Sequence, residues 1–498
     1  MRWSCIAFLA ALLLAGCAGP AATQDGSSGA PTSTIQPLGP GGLVNKTITL
    51  ASGLSPMGDV AQVSVPGHRT SEFTVAKDPR DPMHLIAAGM DWDSPDGTVQ
   101  CTAFVSKDGG GTWTAVAGLP GHVGTNEDTD PWIAIDAKGR AYLTCTEGGA
   151  GLLLGTSEDG GFTWDTAKVV PTGGTAAKDA IGAFGDGELY LCYQNGGLNV
   201  LHSNDAGGSW TQSSFSTPAG CNGVVQGPEG NVYVVWQGAG AIEADNLMPA
   251  PPAFGVVATA DHGRTWSSTT LSTDLGSAPQ NFPDAPQAAA PSIAVSNRTG
   301  TLFVAAQTYQ NAEIVGPLAS ATEAAGLLER SRDGGRSFTE LAMPAFPTEA
   351  CGSGCNLVHP TIAVDDAGRL IMEATLSSSD SLHKEVWMTL SNDEGDSWVT
   401  PVRLALTEQD QSYLTPGNVL PDPQAIAQDA QDIASNPGKA PGAANAIANH
   451  ETWAVFHRDG GEYFGITSTP GVAVGLWVQH DSNGKNVILG QRVQILTT

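Results

Sequence analysis

Basic residues are scarce in this chain: 22 lysines and arginines stand against 50 aspartates and glutamates over 498 residues, a formal net charge of −28. A chain of that sign repels phosphate backbones and anionic headgroups, which excludes nucleic acid and an anionic membrane surface as direct partners. Long apolar runs are missing as well. The stretch Cys5 to Leu14 is only about ten residues, too short to span a bilayer. Cysteines number eight, with no second Cys pair or His pair at zinc spacing, which argues against a structural zinc site. With 14% charged and 41% hydrophobic residues the chain is nonetheless globular.

The short apolar stretch follows a positive start, Met1-Arg2-Trp3-Ser4, and ends in Leu14-Ala15-Gly16-Cys17, which resembles the lipobox of lipoproteins. Residues 1-16 are therefore expected to be a cleaved signal and Cys17 the lipidated first residue, with a plain secretory signal cut elsewhere as the alternative. Residues 17-44 read as a flexible tether rich in Ala, Gly, Pro, Ser and Thr. The expected location is the cell surface or periplasm, with the membrane touched only through the anchor. Export suits the six remaining cysteines, Cys101, Cys145, Cys192, Cys221, Cys351 and Cys355, as disulfide formers. Cys351 and Cys355 can close a small loop, Cys192 with Cys221 would link consecutive repeats, and Cys101 and Cys145 would remain.

One motif recurs six times: Ser/Thr-x-Asp-x-Gly-x-Ser/Thr-Trp, with Phe338 replacing Trp once. Its aspartates are Asp108, Asp159, Asp205, Asp261, Asp333 and Asp393, spaced 51, 46, 56, 72 and 60 residues apart, the period of a repeat architecture. Asp and Ser/Thr side chains bond nearby backbone N–H groups, Gly permits a left-handed turn, and the aromatic ring buries against a sheet. The motif reads as a clasp joining two strands, and its aspartates as turn residues rather than catalytic acids.

Upstream of most clasps lies a hairpin with period-two alternation, as in Trp132 to Leu143, Ser292 to Phe303 and Thr361 to Ile371. Two hairpin strands, one strand before the clasp and one after it make a four-stranded antiparallel propeller blade. Blades are expected at 71-118, 130-172, 178-217, 219-273, 290-344 and 358-406, and a seventh, lacking a clasp, over Tyr463 to Ile495. The seventh offers three strands, so Lys46 to Leu50 or Ala61 to Val65 is expected to close the ring. The expectation is an all-β, seven-bladed β-propeller over 45-498, six blades being the alternative, with a helical insertion at about 407-450.

The clasp resembles the Asp-box, or BNR repeat, of the sialidase (neuraminidase) superfamily, and Gly461 to Trp477 is similar to the last blade of such propellers. That resemblance implies a ligand site on the rim opposite the clasps. Candidates there are Arg69 and Glu72, Asp91 and Asp93, Glu127, Asp128, Asp130 and Trp132, Lys178 and Asp179, and Gln237 and Glu243. Tyr309, Glu313, His359, Asp380, His383, Arg458, Glu462 and Tyr463 complete the set. A sialidase holds the substrate carboxylate with three arginines, attacks with a tyrosine activated by a glutamate, and protonates the leaving group with an aspartate. Carried over, the resemblance implies Tyr463 as nucleophile, Glu462 as its partner and Asp130 as acid, with Arg69, Arg458, Trp132 and Tyr309 binding substrate. The sequence departs from the pattern in its arginines. Only Arg69 and Arg458 are placed to face a ligand, because the others fall in clasps, hairpin turns or outer strands. Two readings therefore stand: an exo-α-sialidase-like glycoside hydrolase, or a non-catalytic glycan- or protein-binding surface propeller. Neither needs a cofactor; calcium is the one ion that Asp128 and Asp130 would suit.

Overall fold

The computed structural model describes residues 53–95, 98–120, 128–147, 151–174, 176–217, 219–238, 253–272, 291–310, 313–315, 318–320, 323–347, 355–377, 383–408, 465–481 and 485–496. Seven four-stranded antiparallel sheets follow one another along the chain. Their innermost strands are Thr70–Lys77, Asp128–Ile135, Ala177–Phe184, Ala219–Gln226, Ser292–Val295, Asn356–Val364 and Ile466–Thr469. Each of these touches its counterparts in the blades on either side, the seventh meeting the first, so the strands ring a common axis.

The core is divided in the same way. Seven apolar clusters each lie between two adjacent blades, from Ile86, Ala103 and Leu143 between blades one and two to Phe73, Phe104, Leu476 and Ile488 between blades one and seven. Near-continuous burial along the central strands follows, because both faces of a blade are covered. The expected disulfides Cys101–Cys145 and Cys192–Cys221 cross two of these junctions, one to two and three to four. Cys355 is also disulfide-bonded, while Cys351 lies outside the described residues.

The seventh sheet is completed by the N-terminal strand Leu54–Gln62, paired antiparallel to Asn486–Ile495. The closing strand thus takes only Ala61 and Gln62 from one of the two segments expected, and Lys46 to Leu50 lies outside the described residues. Pro56 and Gly58 disguised it as a loop; both are tolerated because it is an outermost strand with an irregularity between Met57 and Ala61. The long connection after Leu302–Gln310 carries a small ribbon, Glu313–Val315 paired with Leu318–Ser320. Residues 409–450, where a helix was expected, lie outside the described residues, as do Cys17 and the tether.

The six clasps share one hydrogen-bond pattern. In the first, Ser106 Oγ accepts from Gly110 N–H at 2.8 Å, and Asp108 Oδ1 accepts from the N–H groups of Gly111 and Thr112 at 2.9 Å each. Thr112 Oγ1 donates to Asp108 Oδ2 at 2.9 Å, and the same hydroxyl-to-carboxylate bond recurs at the other five. Every clasp carboxylate is therefore committed to its own turn.

Candidate functional site

The inner strands begin at the rim opposite the clasps, and there they share an irregularity. In blades one, two, three, four and six the pairing of the first strand with the second skips one residue. Such a bulge re-aims a side chain and breaks the ladder locally. At four of the five sites a non-glycine residue adopts left-handed backbone, Glu72 at φ 45°, Asp130 at 54°, Lys178 at 52° and His359 at 51°. Blade four places Asn222 at the equivalent point, ahead of Gly223. Five adjacent or near-adjacent blades thus offer five polar residues on one rung.

These residues are not solvated surface charges. Glu72, Asp130, Asn222 and His359 are all buried. Neighbouring blades hold the rung: Lys178 N–H donates to Asp130 Oδ2 at 3.2 Å, and His359 N–H donates to Gln307 Oε1 at 3.0 Å. Just below, Thr74 Oγ1 accepts from Ile133 N–H at 3.1 Å, and Ser292 Oγ accepts from Ile362 N–H at 3.1 Å. Lys178 lies flat over Gly220, where an added Cβ would fall 2.7 Å from the lysine Cβ. Behind the rung, Asp179 is fully buried and accepts from Thr146 Oγ1 at 3.1 Å. Burial, and then the charge of Asp130, push its carboxyl well above the usual range.

Inside the ring runs an axial cavity of about 270 Å³. It extends from Asn222 and His359 on the bulged rung to Phe184 and Val225 near the clasp-side ends of their strands. Trp132, Ile181, Val224, Ile293 and Ile362 line it together with the polar Thr74, Ser292 and Thr361, and among the described residues no lysine, arginine, aspartate or glutamate lines it.

Of the substrate-binding residues expected, Trp132 lines this cavity. Arg69 does not line it, and its guanidinium is engaged elsewhere. Nη2 donates to Asp93 Oδ1 at 2.8 Å, the Arg69 backbone N–H donates to Oδ2 at 2.9 Å, and Lys485 Nζ from blade seven donates to the same oxygen at 3.0 Å. Partial burial would raise the Asp93 carboxyl, but the Arg69 and Lys485 hydrogen bonds hold it well below the usual range. Tyr309 lies in the strand Leu302–Gln310, in register with Ala324. Arg458, Glu462 and Tyr463 lie outside the described residues, so Asp130 is the one member of the expected catalytic set that the structure describes. Among the described residues no group of three or more His, Cys, Asp or Glu is arranged to hold a metal ion. Asn222 went unnoticed in the sequence, although the spacing could have found it. Glu72, Asp130, Lys178, Asn222 and His359 each stand three residues before a Val or Ile of the inner strand, Val75, Ile133, Ile181, Val225 and Ile362.

No family model matches the chain, and no curated protein matches it. Solved structures similar to it include a protein of unknown function from Dyadobacter fermentans, at 14% identity over 89% of this chain and 99% of that one, TM-score 0.46. Others are the phage phi92 endosialidase, at 10% identity over 89% and 70%, TM-score 0.47, and the intramolecular trans-sialidase from Ruminococcus gnavus, at 14% over 88% and 98%, TM-score 0.42. The likeness to sialidases is one of fold.

Proposed function

We propose that this protein is an exported, lipid-anchored propeller that engages a glycan on its bulged rim as a binding module. The observation that carries the reading is the repeated rung of Glu72, Asp130, Lys178, Asn222 and His359, four of them in left-handed backbone. Strained, buried polar residues recurring at one level are the arrangement expected of a preorganised site. Binding is favoured over sialic-acid hydrolysis because Arg69 is already paired with Asp93. A guanidinium neutralised in that way is not free to make a fixed two-point contact with a substrate carboxylate.

The buried position of Asp130 on the same rung keeps a second reading in view, an exo-glycosidase of sialidase type with Asp130 as acid, Tyr463 as nucleophile and Glu462 as its partner. Two measurements on the full chain separate them. Glycan-array binding that is lost in Glu72→Gln and Lys178→Met, without turnover of fluorogenic sialosides or other glycosides, supports the binding module. Turnover that disappears in Asp130→Asn and Tyr463→Phe supports the hydrolase. Silence in both assays refutes the glycan reading, and membrane partition unchanged by Cys17→Ser refutes the anchor.

A further inference from the structure

The axial cavity differs in chemistry from the rim above it. Its wall sets aliphatic and aromatic side chains, Trp132, Ile181, Phe184, Val224, Ile293 and Ile362, beside the polar Thr74, Asn222, Ser292, His359 and Thr361, with no charged residue among the described ones. Two glycines keep it open: a Cβ on Gly182 would fall 2.7 Å from the Phe184 ring and 2.8 Å from Val224, and one on Gly223 would fall 2.8 Å from Ile293. Its polar side chains are mostly engaged. Thr74 Oγ1 donates to Pro131 O and accepts from Ile133 N–H, Ser292 Oγ accepts from Ile362 N–H, and Thr361 Oγ1 donates to His359 O. Asn222 is the exception: it is 5% exposed, it lines the cavity, and its Oδ1 has no hydrogen-bond partner.

A buried amide oxygen without a partner loses about 1–3 kcal/mol relative to a satisfied one. Beside Trp132, Phe184 and the aliphatic side chains, that deficit selects an occupant bringing one donor and an otherwise apolar body. Size is sufficient: a cavity of about 150 Å³ with apolar walls takes benzene, and this one measures about 270 Å³.

We propose that the axial cavity is a second binding site, for a neutral aromatic group carrying a single N–H or O–H donor that bonds to Asn222 Oδ1, with the ring against Trp132 and Phe184. Such a group has two sources, a free indole or phenol, or a tryptophan or tyrosine side chain presented by a partner. The cavity shares Asn222 with the rung of the glycan reading, but this inference does not depend on that reading, because the probes carry no sugar and Glu72 and Lys178, whose variants test glycan binding, do not line the cavity.

The test is calorimetric titration of the full chain with indole and with benzofuran, which has the same shape and an oxygen in place of the N–H. Indole should bind at least about tenfold more tightly, the equivalent of one hydrogen bond of about 1.4 kcal/mol. Asn222→Leu should bring indole down to the benzofuran level, and Val224→Phe, which fills cavity volume and keeps the Asn222 amide in the chain, should abolish both. Binding of N-acetyl-tryptophanamide with the same dependence on Asn222 assigns the site to a protein side chain, whereas binding of indole alone assigns it to a free small molecule. If Asn222→Leu fails to fold, the wild-type ratio and the Val224→Phe loss decide. Equal affinity for indole and benzofuran, or no saturable binding of either at millimolar concentration, overturns the proposal.

Discussion

Glu373 is buried between blades six and seven, 2% exposed, and its Oε2 has no hydrogen-bond partner. It fits only because position 475 is glycine, where an added Cβ would fall 1.9 Å from that oxygen. Burial raises its carboxyl well above the usual range. Its folded pKa lies above its unfolded value of about 4.3. The stability it permits is therefore fully present below about pH 4 and is lost as pH rises from there through the folded pKa. Glu373→Met keeps the volume and removes the group. At pH 4 it should stabilise by about 1–3 kcal/mol, the deficit of an unsatisfied buried polar group. The advantage should then widen by up to about 1.4 kcal/mol per pH unit until the folded pKa is passed. Urea midpoints of both proteins from pH 4 to above 8 measure that gap. A gap that stays flat or narrows with rising pH would show that the carboxyl is solvated or paired, and would refute the reasoning. Gly475→Ala supplies an independent check. It should be more damaging in wild type than in a Glu373→Ala background, with a coupling of about 0.5–3 kcal/mol.

Replacing Cys101 and Cys145 by serine opens a link spanning 44 residues and should lower stability by about 4 kcal/mol on chain-entropy grounds; urea midpoints with and without reductant test this, and unchanged midpoints would refute it. In the clasps, hydrogen bonds led by those from the Ser209, Thr265 and Ser337 hydroxyls lower Asp205, Asp261 and Asp333 to about 2. Their stabilisation is present above the unfolded pKa of about 3.9 and is lost as pH falls toward 2. The triple Asp→Asn variant should accordingly show a flatter acid limb in near-ultraviolet circular dichroism, and an acid limb as steep as wild type would count against the clasps as its source. Asp93→Ala removes the latch that joins Arg69 to Lys485 of blade seven and should lower the urea midpoint by the equivalent of about 1–2 kcal/mol; an unaltered midpoint would show that the pair is ornamental.

The blades were legible because their signals are local. A clasp such as Ser203 to Trp210 satisfies its own backbone within eight residues, so its chemistry can be read without knowing what lies beside it. Ring closure was legible in principle, since three strands of Tyr463 to Ile495 need a fourth, but the choice of Leu54–Gln62 was not. Its Pro56 and Gly58 look like loop residues until the outer edge of a blade is known to receive them. Four of the five rung residues, Glu72, Asp130, Lys178 and His359, stand among the rim candidates of the sequence, but the bulge that aims them is not visible there. A bulge is a property of cross-strand register, and Glu72-Phe73, Asp130-Pro131, Lys178-Asp179 and His359-Pro360 have no composition in common. The pairing of Arg69 with Asp93 was equally hidden, because the partner is 24 residues away and the third member, Lys485, is nearly the whole chain away.

The two rims satisfy their polar groups in opposite ways, and that contrast points to the working face. On the clasp rim each aspartate spends its carboxylate on its own turn, which leaves a stable edge with no group in reserve. On the bulged rim the Asp130 carboxylate and the His359 backbone are held from neighbouring blades, and left-handed backbone falls at Glu72, Asp130, Lys178 and His359; the clasp turns adopt the same geometry at Ala206, His262 and Glu394. Such geometry costs roughly 1–2 kcal/mol per residue, so four instances together rival the few kcal/mol by which a fold of ordinary stability survives. Glycine would remove that cost, and the chain has glycine at comparable φ in turns throughout, Gly139 and Gly368 among them. Glu72, Asp130, Lys178 and His359 carry polar side chains at that cost, where the clasp turn at Ala206 carries only a methyl group. A bulge sets the direction in which such a group is aimed, and in blades four and six that direction is the axis of the ring, where Asn222 and His359 line the cavity.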